Sequence, residues 1–221
     1  MKTCLILGAV ALIASSSHAG FSGYTVEQVN TDAGNTQFRV YANFDASGFV
    51  MLNILGFQSV SGAAMNARHQ DAAETPAGDP GQSWSANYNL LGAVARDNDS
   101  WVTASGISTS GGNETALDPS FTPSNSSYIP NTSGWYDSTP GAPNNVLAGG
   151  ASHRMLVLQI VRSGTGADAY ATSTFSMVTG YKVALTTTAQ FGNGSFTIPA
   201  PGALALVGLV GAFGRRRRSS L

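Results

Sequence analysis

A histidine, a nucleophile and a carboxylate brought together are the raw material of acid–base and acyl-transfer chemistry, and this chain of 221 residues offers few of them. Its histidines are His18, His69 and His153, and neither of the last two stands in the H-E-x-x-H pattern that sets two zinc ligands on one helical face. His69 follows Arg68 and precedes Asp71 by two residues. That sketches a base with an orienting carboxylate, whose nucleophile would have to come from elsewhere in the fold. The run Gly106-Ile107-Ser108-Thr109-Ser110 misses the G-x-S-x-G elbow and lacks the strand-to-helix setting that elbow needs. No catalytic residue is assigned, and the chain reads as a non-enzyme.

Two other patterns point to binding. Asp97, Asn98 and Asp99 gather oxygen ligands just before Trp101, as a hard cation such as calcium requires. The loop has no glycine at the sixth position and no acid at the twelfth, so it is not an EF-hand; an Asx turn capping the strand is the competing reading. Calcium at Asp97 and Asp99 is the one cofactor the pattern suggests. Aromatic side chains supply the second pattern, since an amphipathic ring can stack on a sugar. Trp84, Trp101 and Trp135 with Tyr88, Tyr128 and Tyr136 are candidates. Trp101 opens a strand and belongs in the core, whereas Trp135 and Tyr136 lie in a long loop and are the better glycan contacts.

The elements that must position these residues are strands. Charged residues make up only 10% of the chain, too few for the Glu-, Lys- and Arg-rich faces of surface helices, while Gly, Ser, Thr and Asn abound. In 37–44, Phe38, Val40, Ala42 and Phe44 alternate with polar neighbours, the pattern of a half-buried strand. A turn at Asp45-Ala46-Ser47-Gly48 would join it as a hairpin to 50–57. Further strands are expected at 24–29, 88–95, 100–104, 155–162, 172–178 and 181–187, with 155–161 apolar enough to be covered on both faces. Alanines in 61–83 suggest a short helix, ended by Pro76 and Pro80. Residues 105–150 hold five prolines and a Gly-Gly pair, and read as a long Pro/Gly/Ser-rich loop, part of which packs on the body through its aromatics. The expected fold is all-β: an antiparallel β-sandwich, immunoglobulin-like or jelly-roll in type.

The two ends read differently from the middle. Lys2, an apolar stretch at 5–14 and the small-x-small pattern Ser17-His18-Ala19 form a secretory signal peptide, 1–19, cut after Ala19 by signal peptidase. The body, 20–197, then has no cysteine and no disulfide to staple it. At the other end, Ile198, Pro199, Ala200 and Pro201 lead into an apolar segment, 202–214, followed by Arg215, Arg216, Arg217 and Arg218. Thirteen residues make roughly 20 Å of helix, short of a full span, and the arginines hold their end on the cytoplasmic side. The body should therefore lie outside the cytoplasm. Without these ends it carries six basic residues against twelve carboxylates, a net charge of −6, which disfavours nucleic acid as a partner.

This tail, 198–221, resembles the PEP-CTERM sorting signal of exported bacterial proteins, with Ala200 standing where the usual motif has Glu. The resemblance implies processing by an exosortase-like membrane enzyme, transient membrane retention, and a final place in the cell envelope or an exopolysaccharide matrix, with extracellular polysaccharide as a partner. Residues 24–57 and the run Asp99-Ser100-Trp101-Val102-Thr103 also look like bodies found upstream of such tails. The expectation for the whole chain is an exported, surface- or matrix-associated, non-enzymatic protein; a secreted carbohydrate-binding module and a secreted hydrolase are the alternatives.

Overall fold

The structure is a computed structural model, and it describes residues 20–29, 35–61, 67, 69, 84–85, 98–104, 115–121, 128–138, 153–163 and 172–199. Among them are nine strands and no helix: β1 (Phe21–Val29), β2 (Asn35–Phe44), β3 (Phe49–Ser61), β4 (Trp101–Val102), β5 (Thr115–Leu117), β6 (Ser133–Asp137), β7 (Arg154–Ser163), β8 (Ser173–Val183) and β9 (Gln190–Ile198). They form two sheets, ordered β1-β2-β7-β4 and β5-β6-β3-β8-β9, in which every strand pair is antiparallel. The fold is all-β, as composition and alternation require.

One hydrophobic core joins the two sheets. Phe38, Val40, Ala42 and Phe44 of β2 face it, as the alternation predicted, together with Leu158 and Ile160 of β7. From the other sheet come Met51, Ile54 and Phe57 of β3, Phe175, Met177 and Tyr181 of β8, and Phe196 and Ile198 of β9. Each Val, Leu, Ile, Phe or Met among them contributes about 1.5–3 kcal/mol by leaving water. Specific contacts fix how the sheets meet. Tyr24 of β1 brings its hydroxyl within 2.6 Å of Thr179 Oγ1 on β8, the Phe21 amide donates to the Tyr181 hydroxyl, and Tyr24 meets Phe196 edge-on at 5.8 Å. At the far end the guanidinium of Arg162, fully buried, donates to Ser173 Oγ at 3.1 Å.

Several expectations are corrected. The 37–44 and 50–57 segments are strands but not a hairpin: β1 and β7 occupy both hydrogen-bonding edges of β2, so β3 can pair only in the other sheet. The turn between them instead carries the chain across the core, with Gly48 at φ 84° and the rings of Phe44 and Phe49 stacked at 5.2 Å on either side of the crossing. The two strands expected at 172–178 and 181–187 are one, β8, because Gly180 sits inside the strand rather than ending it. Residues 190–198 form an unforeseen strand, β9. The proline-rich region 105–150 contains β5 and β6, short enough to fit between Gly112 and Pro119 and between Pro130 and Pro140. The strand expected at 88–95 lies outside the described residues, as does nearly all of the helix expected at 61–83; Ser61 ends β3.

A bulge interrupts β3 near its middle. Ile54 and Phe57 both face the core although three residues apart, which a regular strand of period two cannot do. Gly56, at φ 59°, supplies the extra residue in the left-handed conformation that glycine adopts without strain.

Candidate functional site

The polar residues that the fold gathers most tightly lie beside β4. His69 Nδ1 is 2.7 Å from the Ser100 carbonyl oxygen and 3.3 Å from Asp99 Oδ1. Both partners are acceptors, so Nδ1 carries the proton and donates. The ring stacks on Trp84 at 4.0 Å and 22°. Asp99 Oδ1 also accepts from the Ser100 amide at 2.9 Å, and the Asp99 carbonyl accepts from Gln159 Nε2 of β7 at 2.8 Å. Val161 N donates to Ser100 Oγ at 2.8 Å.

This arrangement holds a histidine with its carboxylate, the base-and-orienter half of a triad, but its parts are committed inward. The side chains of His69 and Asp99 are 0% and 1% exposed, and Ser100 Oγ is bonded to the backbone of β7. What the cluster does chemically is tie the segment before β4 to β7 and to the distant residues His69 and Trp84. A carboxylate beside His69 is Asp99, thirty residues on; the neighbouring Asp71 lies outside the described residues.

Of the calcium expectation, Asp97 lies outside the described residues, and Asp99 is buried with its Oδ1 accepting from Ser100 N and His69. Among the described residues no group of three or more His, Cys, Asp or Glu is gathered as a metal site.

The aromatic platform needs a larger correction. Trp84, Trp101 and Trp135 are 0–1% exposed, so no tryptophan offers a face to a sugar. Trp135 lies in the core because β6 pairs with β3 and turns it inward, where its indole donates to the Thr103 carbonyl at 3.0 Å and packs on Phe57. Its neighbour Tyr136 points the other way, 45% exposed, as strand alternation requires. Tyr128 is exposed to the same extent, and Tyr88 lies outside the described residues.

Of the tail, Ile198 is the buried last residue of β9 and Pro199 is half-buried after it; Ala200, Pro201 and Arg215, Arg216, Arg217 and Arg218 lie outside the described residues, as does Ala19. Among the described residues no helix is long and apolar enough to cross a membrane.

Tyr136 has unforeseen company. In register across the five-stranded sheet, Tyr136 of β6 pairs with Asn53 of β3, Asn53 with Gly180 of β8, and Gly180 with Phe191 of β9. Phe191 is 61% exposed. The Asn53 amide oxygen is buried and has no hydrogen-bond donor. The alternation of Phe191, Asn193, Ser195 and Thr197 was the available signal, obscured by Gly192 and Gly194 between them. No family model, no curated protein and no solved structure matches the chain.

Proposed function

We propose that this protein is an exported, surface- or matrix-associated protein without enzymatic activity, a β-sandwich body of immunoglobulin-like or jelly-roll type delivered by a C-terminal sorting signal. One observation carries the reading: the order of Ile198-Pro199-Ala200-Pro201, the apolar segment 202–214 and Arg215 to Arg218. An apolar segment too short to span comfortably, closed by four arginines, holds its basic end in the cytoplasm and leaves what precedes it outside. Signal peptidase acts at Ala19 and an exosortase-like enzyme acts on the tail. The body's charge of −6 and its freedom from cysteine suit an extracellular setting.

The position of the tail relative to the sheet also supports the reading. β9 ends at Ile198, so a cut beyond that residue leaves all nine strands intact. Replacing Arg215, Arg216, Arg217 and Arg218 by serine tests the proposal. The expected outcome is loss of membrane retention, with the body released to the medium unprocessed; unchanged retention and processing would overturn it.

A further inference from the structure

The outward sides of the two sheets differ in kind. On the four-stranded sheet, Glu27 and Arg154 form an ion pair, Arg154 lies 4.1 Å over the Tyr41 ring, and Arg39 donates to Gln159 at 3.2 Å. The strands of the five-stranded sheet carry only two charged residues, Asp137, which is buried, and Lys182. Exposed aromatic rings and uncharged amides take their place. Tyr136 and Phe191 are separated by three strand spacings, about 14 Å, with Asn53 and Gly180 between them in the same register.

Gly180 forms the floor of this row. A Cβ built there would strike the Asn53 amide and stand 3.2 Å from the Phe191 ring, so ring and amide converge on the one position of the row that lacks a side chain. The Asn53 oxygen is held there without a donor, an arrangement that native interiors rarely leave standing.

We propose that this face binds a neutral polysaccharide. The occupant must supply hydroxyl donors to Asn53, apolar C–H surface to Tyr136 and Phe191, and no charge; a polyol chain lying across the strands supplies all three. Leu55, 42% exposed, pairs with Val178 on the same side of the sheet beside Asn53 and Gly180, so a second copy is the competing occupant and the self-association arm of the test decides between them. Among the described residues of these strands, a uronate chain would find no cation but Lys182. The inference names the ligand class for the matrix role proposed above. It is independent of how the tail is processed, since binding is read on the purified full chain whatever the fate of Arg215.

Affinity electrophoresis of the full chain in detergent, through gels containing dextran, hydroxyethyl cellulose or alginate, tests the proposal. The expected result is retardation by at least one of the two neutral polymers and not by alginate, weakened about three- to tenfold by Phe191→Ala and by Tyr136→Ala. Tyr41→Ala, on the outward side of the four-stranded sheet, leaves retardation unchanged, and Phe191→Tyr retains it. Gly180→Val, which fills the floor, abolishes it; circular dichroism and the urea midpoint verify that each variant is folded. No retardation by either neutral polymer would overturn the proposal, as would preference for alginate or unchanged retardation in the Phe191→Ala, Tyr136→Ala double variant. Concentration-dependent self-association lost in Phe191→Ala would assign the face to a second copy instead.

Discussion

Asp99 carries more of the architecture than its place in a turn suggests. It holds His69 and the Ser100 amide through one oxygen while its carbonyl accepts from Gln159, so truncating it takes the acceptor from the buried Ser100 amide and leaves His69 with the Ser100 carbonyl but no carboxylate. Asp99→Ala should lower stability by about 1–3 kcal/mol, seen as a fall in the urea midpoint at constant m-value. Tyr24 gives the residue scale its pH dependence. Burial between the sheets pushes its pKa well above the ordinary tyrosine value, and the hydrogen bond with Thr179 offsets only part of that rise. A raised pKa keeps the phenol protonated in the folded state after the unfolded chain has begun to lose its proton. The contribution is therefore complete below about pH 10 and declines as pH climbs beyond it toward the folded value. Urea midpoints at pH 8 and pH 10.5 should show that decline, and Tyr24→Phe should flatten it at some cost in stability at both values.

Glycine within strands is the feature that decides the elements. A Cβ on Gly192 would collide with the Phe21 ring, and one on Gly194 would stand 2.8 Å from Tyr24, so β9 lacks side chains where the rings of β1 lie against it. Gly192→Val should cost about 1–3 kcal/mol by displacing Phe21, the usual penalty of overpacking, measurable by thermal or urea unfolding. Leu185, at φ 68° and fully exposed in the turn between β8 and β9, is the opposite case. Leu185→Asn should raise stability by about 0.5–1 kcal/mol, because asparagine tolerates the left-handed region better. The same chemistry explains what could be read from the sequence. β2 and β7 were legible because Phe38, Val40, Ala42 and Phe44, and the apolar run of β7, report burial directly. β9 and the continuity of β8 were not, because Gly180, Gly192 and Gly194 look like breaks until one sees which side chains rest on them. Nor does local sequence reveal that both edges of β2 are taken, which turned an expected hairpin into a crossing between sheets. Trp135 and Tyr136 show the limit for the site: adjacent aromatics in a strand face opposite ways, and only the pairing of β6 says which one faces water.

At the scale of the whole molecule, charge is divided. An ion pair and Arg39 lie on the outward side of one sheet, and on the other lies a face of aromatics and amides whose strands contribute the half-buried Lys182 as their charge outside the core. Under the proposed function the charged side faces water and the other side is the one presented to the matrix. The tail determines where this happens. β9 ends at Ile198, where the tail begins, and under the proposed function the four arginines beyond a short apolar segment hold it at the inner face of the membrane until it is cut. The most direct measurement is mass spectrometry of both ends of the protein recovered from outside its native cells. The account predicts a chain that begins near Gly20 and ends between Ile198 and Arg215; recovery of Arg215 to Leu221 on the exported protein would contradict it.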